Sequence, residues 1–284
     1  MLIGYFDAAI YVTLTAISFV FLNRLMGQIN PVVALFAMSF FAIVNFNLMS
    51  LNQLKATYIA CFNNKLLYLI MSGSLALDWI CMLYSSYITD PFVSMSALFI
   101  FLAVIGVIQV FAKNKSIASF ISIIMLIMSV FILYFGYRVN ASEKLGLGII
   151  LGGVAGSAFY IYIVSSKELV KRSNLSTLQV LATRFWILFI GAAYFLPYHN
   201  LLAIIANNIV SLVIISYASL IVPIYFNQQA IKKLGSTVTA LCISYVPPVT
   251  YLFYVIYNHN LIWSNVVVCI IITSALILAQ GKRS

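Results

Sequence analysis

Charge of either sign is scarce in this chain. Five acidic residues, fifteen basic ones and two histidines are spread over 284 residues, and only 7% of the chain is charged. A soluble domain carries about 25% charged residues, so a soluble fold is excluded. The same poverty leaves no acid–base pair and no His/Cys/Asp cluster on which hydrolytic or metal chemistry could be built. His199 and His259 stand apart in polar turns, so neither a metal nor a cofactor is expected, and an enzyme is disfavoured. The four cysteines (Cys61, Cys81, Cys242, Cys269) show no CxxC spacing and read as small apolar packing residues. A GxxxxGK[ST] phosphate loop is absent, which argues against a nucleotide-driven pump. The first residues lack a basic n-region and include Asp7, so the first apolar run reads as a retained helix instead of a cleaved leader.

What the chain has in excess is apolar length. It is 64% hydrophobic with a mean hydropathy of +1.11. Measured against the ~20 apolar residues that a membrane helix needs, ten runs qualify. They lie near 4–23, 31–50, 66–87, 92–111, 117–136, 145–165, 177–197, 208–229, 236–257 and 261–280. The runs are continuous and do not alternate residue by residue, which excludes a β-barrel. The expected fold class is an all-α integral membrane protein of ten transmembrane helices joined by short loops.

The net charge of +10 is explained by its placement. With a cytoplasmic N-terminus, one side of the membrane receives Lys55, Lys65, Lys113, Lys115, Lys167, Lys171, Arg172, Lys232, Lys233, Lys282 and Arg283. The other receives Arg24, Arg138 and Lys144. Lysine and arginine in short loops set orientation, so both termini are expected in the cytoplasm. The basic charge is a topology signal and gives no reason to expect a nucleic-acid partner. Short polar ends fit a bacterial inner membrane.

The two halves of the chain are weakly similar. At a shift of 143, Ser94, Ser96, Ala97 and Leu98 fall on Thr237, Thr239, Ala240 and Leu241. At 145, Ser129, Ile132, Leu133 and Gly136 fall on Ser274, Ile277, Leu278 and Gly281, and Ala37 and Phe40 fall on Ala182 and Phe185. The common shift, close to half the chain, divides one membrane domain into repeats at 1–140 and 141–284. Five helices per repeat is an odd number, so the second repeat enters from the opposite side. Inverted repeats of this kind build many secondary transporters, with the substrate near the midplane where the repeats meet.

The stretch from Ala230 to Gln280 has a basic pair (Lys232, Lys233), Gly235, small residues from Ser236, mid-helix prolines at Pro247 or Pro248, a polar turn and a last apolar helix. It resembles the C-terminal repeat of the drug/metabolite transporter superfamily, of the ten-helix EamA type. Arg184 in "LATRFWI" is similar to an arginine early in the second helix of these repeats. Asn258, His259 and Asn260 stand where the family usually has Gly-Glu. The resemblance implies small organic substrates such as amino acids, related metabolites or drugs, often exported.

Within the spans, Asp78 draws the most notice. A charged aspartate at a helix centre costs roughly 2.5–3.5 kcal/mol, and protonating it at neutral pH from ~3.9 costs about 4 kcal/mol. Neither form suits lipid, so Asp78 should face a cavity or a polar partner. Ser74, Cys81 and Ser85 share its face at helical spacing. Trp79, Tyr160 and Tyr245 are mid-span aromatics that could form a substrate platform; Asn227 and Ser244 flank proline positions and join them as binding candidates, with Gln228 and Tyr251 nearby. Pro223, Pro247 and Pro248 should kink the eighth and ninth spans. Gly148, Gly152 and Gly156, four apart, read as a close helix contact. Arg184 and Asp7 read as interfacial anchors, the arginine by snorkelling.

These features describe a secondary transporter moving a small organic metabolite by alternating access, with Asp78 recognising a cationic group or carrying a coupling proton. A lipid-carrier flippase of the same superfamily, a membrane-embedded lipid-modifying enzyme and a passive channel are the alternatives. Substrate, direction, coupling ion and oligomeric state are open at this point.

Overall fold

The computed structural model describes residues 2–26, 28–138, 144–197, 201–259 and 261–280, and among these every regular element is helical. In chain order they are α1 (Leu2–Met26), α2 (Pro31–Met49), α3 (Leu54–Asn63), α4 (Lys65–Ile88), α5 (Pro91–Asn114), α6 (Ile117–Arg138) and α7 (Leu145–Ser173). The rest are α8 (Thr177–Thr183), α9 (Trp186–Tyr194), α10 (Leu201–Ile215), α11 (Val222–Leu234), α12 (Ser236–Ile243), α13 (Val246–Asn258) and α14 (Trp263–Gln280). Ten segments among the described residues are long and apolar enough to cross a membrane. Three of them are composite: α8–α9 in Thr177–Tyr194, α10–α11 in Ala203–Leu234 and α12–α13 in Ser236–Tyr257. The protein is a polytopic helical membrane protein.

Local chemistry sets the helix ends. Pro31 and Pro91 open α2 and α5, where a missing N–H costs nothing. Just before each, Asn30 and Asp90 accept from the amides of Val32 and Phe92 at 2.8 and 2.7 Å. Ser176 and Gln179 close a reciprocal capping box on α8. Lys115, Asn174 and His259 end α5, α7 and α13 in the left-handed conformation.

Two expectations need correction. The segment after α2 is more than a loop, because it folds into the short helix α3. The sixth span does not stop near 165 but runs on to Ser173. Its polar last turns are stabilised by the Arg172–Glu168 pair at 2.7 Å, one turn apart.

The eighth and ninth spans are irregular near their prolines. A π-helical segment, Ser216–Ile221, precedes Pro223. Proline clashes with the carbonyl four residues back, and a wider turn relieves that clash. In the ninth span the helix is interrupted at Ser244–Tyr245, and Pro247 and Pro248 lie in the first turn of α13.

Packing follows a definite pattern. α7 lies against α4 and α5, α1 against α11, α12 and α13, α2 against α8 and α9, and α6 against α14. Glycines make the α7 contacts close. A Cβ on Gly156 would collide with the Leu98 carbonyl, one on Gly148 with the Thr89 methyl, and one on Gly152 would lie 2.6 Å from the Ala97 Cβ. The Ser85 hydroxyl donates to the Gly148 carbonyl at 2.7 Å across the α4–α7 seam.

Candidate functional site

Asp78 lies in the middle of α4, buried to 5% exposure, on a small internal cavity. The cavity offers about 20 Å³ to water centres, enough for a water molecule, which needs ~10–15 Å³ on that measure. Trp79 shares the lining and stacks on Phe19, ring centres 6.5 Å apart. Tyr11 and Thr15 of α1, Phe99 of α5, Phe159 of α7 and Ser219 of the π segment complete its polar and aromatic wall. The Asp78 Oδ1 has no hydrogen-bond partner, nor does the Thr15 hydroxyl. The ion pairs among the described residues are Arg172–Glu168 and Lys233–Asp7, so no cation neutralises Asp78 by direct contact.

The expected polar face of α4 is divided in two. Asp78 reaches the cavity, whereas Ser85 is consumed by the Gly148 carbonyl and Ser74 bonds back to Met71 within its own helix.

The sequence reading of Arg184 as a snorkelling anchor is overturned. Its side chain is fully buried, the largest such side chain among the described residues. It sits where the seventh span breaks between α8 and α9, with its guanidinium carbon 5.2 Å from the Tyr162 ring centre and 4.9 Å from that of Phe185. Nη1 donates to the Tyr162 hydroxyl. That hydroxyl and the Ser166 hydroxyl both donate to Gln228 Oε1, each at 2.9 Å. Nε and Nη2 have no partner. Arg184 does not line the Asp78 cavity, and the two side chains make no ion pair.

The break beside Arg184 has its own support. Non-helical backbone at membrane depth persists only where protein or cavity water satisfies it. Here the Asn47 amide donates to the Ala182 carbonyl and the Tyr68 hydroxyl to the Thr183 carbonyl, both at 3.0 Å. Tyr58 of α3 links Asn47 to the indole N–H of Trp186, with bonds of 2.9 and 2.7 Å. α3 therefore clasps the break from outside.

The other sequence candidates scatter. Asn227 is fully buried with neither amide atom bonded, one residue before Gln228, but it does not line the Asp78 cavity. Tyr160 is buried yet faces Gln109 and Thr237. The Ser244 hydroxyl is spent on the Ala240 carbonyl, and Tyr245 is half-buried at the break in the ninth span. Pro248 and Tyr251 line an outward apolar groove between α13 and α14. Tyr11, Thr15, Ser219 and Tyr162 were not singled out by sequence, because tyrosines and hydroxyl residues are common in membrane helices. Asp7 is buried and paired with Lys233 at 2.6 Å. His199 lies outside the described residues, and His259 is the exposed C-cap of α13.

A solved crystal structure superposes on 99% of this chain and 96% of its own, with a TM-score of 0.63 at 13% sequence identity. That likeness concerns the fold alone. No family model matches the chain, and no curated protein does.

Proposed function

We propose that this protein is a secondary transporter that carries a small organic metabolite across the membrane by alternating access. The observation that carries the reading is Asp78, a buried carboxylate with a free oxygen on a water-sized cavity whose wall includes an irregular helical segment. A membrane protein does not keep such a group for stability, since an unpaired polar residue at that depth is costly and marks an ion or substrate path. The cavity is too small for a solute in this arrangement, so binding belongs to a second, opened arrangement, and the broken seventh, eighth and ninth spans are the places to bend.

The inverted-repeat reading has support in the packing. Exchange of the two five-helix halves (1–140 and 141–284) maps the α4–α7 contact onto α11–α1, and α5–α7 onto the α12–α13 span against α1. It maps α6–α14, and α2 with α8–α9, onto themselves. A pseudo-two-fold axis would generate this reciprocity. Together with the sequence resemblance, it favours an EamA-type carrier over an enzyme. The loop lysines orient it with both termini in the cytoplasm.

The test is flux into vesicles holding the purified protein, measured against amino acids, related metabolites and cationic drugs, with and without a proton gradient. Saturable flux of at least one solute is expected, while a flat response across the panel under both conditions would refute the reading. Reporter insertion between Lys167 and Arg172 should read cytoplasmic.

A further inference from the structure

Among the described residues Arg184 has no ion-pair partner. The chain has five acidic residues: Asp7, Asp78, Asp90, Glu143 and Glu168. Asp7 is held by Lys233, Glu168 by Arg172, and Asp90 caps α5. Glu143 lies outside the described residues. Asp78 remains, and it makes no ion pair with Arg184. A buried guanidinium with no anion beside it among the described residues is expensive to keep, and two aromatic faces recover only part of that cost.

The geometry of its bonds says what is missing. Nη1 is committed to Tyr162, which is locked in turn by Gln228, and Ser166 holds Gln228 from the other side. The remaining donors, Nε and Nη2, lie on one edge of the planar group and are both unpartnered. That edge is a two-pronged donor fork whose spacing matches the two oxygens of a carboxylate. The protein fixes one end of the guanidinium and leaves the fork unpartnered.

We propose that Arg184 is the receptor for a carboxylate on the transported solute, with Tyr162, Gln228 and Ser166 as positioning residues. This rests on the carrier reading for the solute's route to the site, since the fork is sealed from solvent in the present arrangement. The helix break at Arg184–Phe185 is the adjacent joint at which it can be uncovered.

The test is thermal unfolding of the detergent-purified protein with 4-methylpentanoate, leucine, glycine or succinate. Leucinamide serves as the carboxylate-free control, and inorganic phosphate and sulfate as other oxyanions. At least one carboxylate should raise the unfolding midpoint of the wild type, leucinamide should not, and Arg184→Gln should abolish the response. Without ligand, Arg184→Gln should unfold no earlier than the wild type, because it removes an unpaired buried charge. Arg184→Lys keeps the charge but loses the fork, and should bind the same carboxylate at least tenfold more weakly. The inference is overturned by no response to any carboxylate, by a response to phosphate or sulfate alone, by equal responses in wild type and Arg184→Gln, or by undiminished affinity in Arg184→Lys. An Arg184→Gln protein that fails to fold or melts well below the wild type also overturns it. Carboxylate-dependent stabilisation without flux would keep Arg184 as a carboxylate site and remove the transport reading, and with it the solute's identity as cargo. Flux confined to carboxylate-free solutes would do the reverse.

Discussion

The Lys233 ammonium lies 2.6 Å from the Asp7 carboxylate, although the two residues are 226 positions apart in sequence. The contact ties the start of α1 to the end of α11, on the side that the loop lysines assign to the cytoplasm. Asp7 is buried while Lys233 remains about a third exposed. Removing the lysine strands a buried charge, whereas removing both charges leaves only a neutral amide there. Lys233→Met should therefore lower unfolding stability by about 1–3 kcal/mol, and Asp7→Asn combined with Lys233→Met should recover part of the loss. Thermal melts of the two variants in detergent check this. Equal losses would mean that the pair has no coupling.

Glycine positions offer a sharper contrast. At Gly156 the backbone of α5 leaves no room for a methyl group, since the obstacle is the Leu98 carbonyl and not a side chain that can swing away. Gly191 in α9 has nothing within 4 Å of where a Cβ would sit. Gly156→Ala should destabilise by about 1–3 kcal/mol as an overpacked contact. Gly191→Ala should stabilise by roughly 0.5–1 kcal/mol, the ordinary helical advantage of alanine. Melting curves that rank the two the other way would contradict the close α5–α7 approach.

The ten spans were legible because a run of about twenty apolar residues is a property of the sequence alone, and Pro223, Pro247 and Pro248 marked two of the breaks for the same reason. The break at Arg184–Phe185 was not legible. Residues 180–188 contain neither proline nor glycine, and the groups that satisfy the opened carbonyls, Asn47 and Tyr68, are 135 and 115 residues away in sequence. Arg184 was misplaced for a related reason: its distance from the end of the span fits snorkelling, and only tertiary packing shows that the route to the interface is closed. Asp78 stood out because a lone acid in an apolar run is anomalous whatever surrounds it. The hydroxyls and rings around it gave no such signal.

Asp90 connects pH to stability outside the membrane spans. Its burial pushes the carboxyl above its ordinary value, against the opposing pull of the Phe92 and Val93 amides. A carboxyl raised in the fold holds its proton more tightly there than in the unfolded chain. Stability therefore falls as pH rises from about 3.8 through the raised value, and stays lower above it. Asparagine caps a helix as well as aspartate does, so Asp90→Asn should flatten that slope and be at least as stable as the wild type at pH 7. Asp90→Ala loses the bond to the Phe92 amide and should cost about 1 kcal/mol. Denaturation followed from pH 4 to pH 8 separates the two variants, and an unchanged slope in Asp90→Asn would count against Asp90 as its source.

The Asp78 carboxylate answers to a different measurement. Asparagine keeps its size and much of its hydrogen bonding but cannot titrate or carry charge. With Asp78 as the coupling or cation-recognising group, the Asp78→Asn protein should insert and fold normally, yet lose most of its flux or the pH dependence of that flux. Leucine in the same place would fill the cavity and remove an unpartnered acid, so Asp78→Leu should fold with little or no loss of stability and transport nothing. An interhelical strut would behave in the opposite way. Such hydrogen bonds contribute only about 0.6 kcal/mol on average, so Asn would retain activity and Leu would cost a modest amount of stability. Full flux with an unchanged pH profile in Asp78→Asn would assign the residue to the strut. The free Oδ1 and the water-sized space beside it favour the other outcome, because a strut has a partner and this oxygen has none.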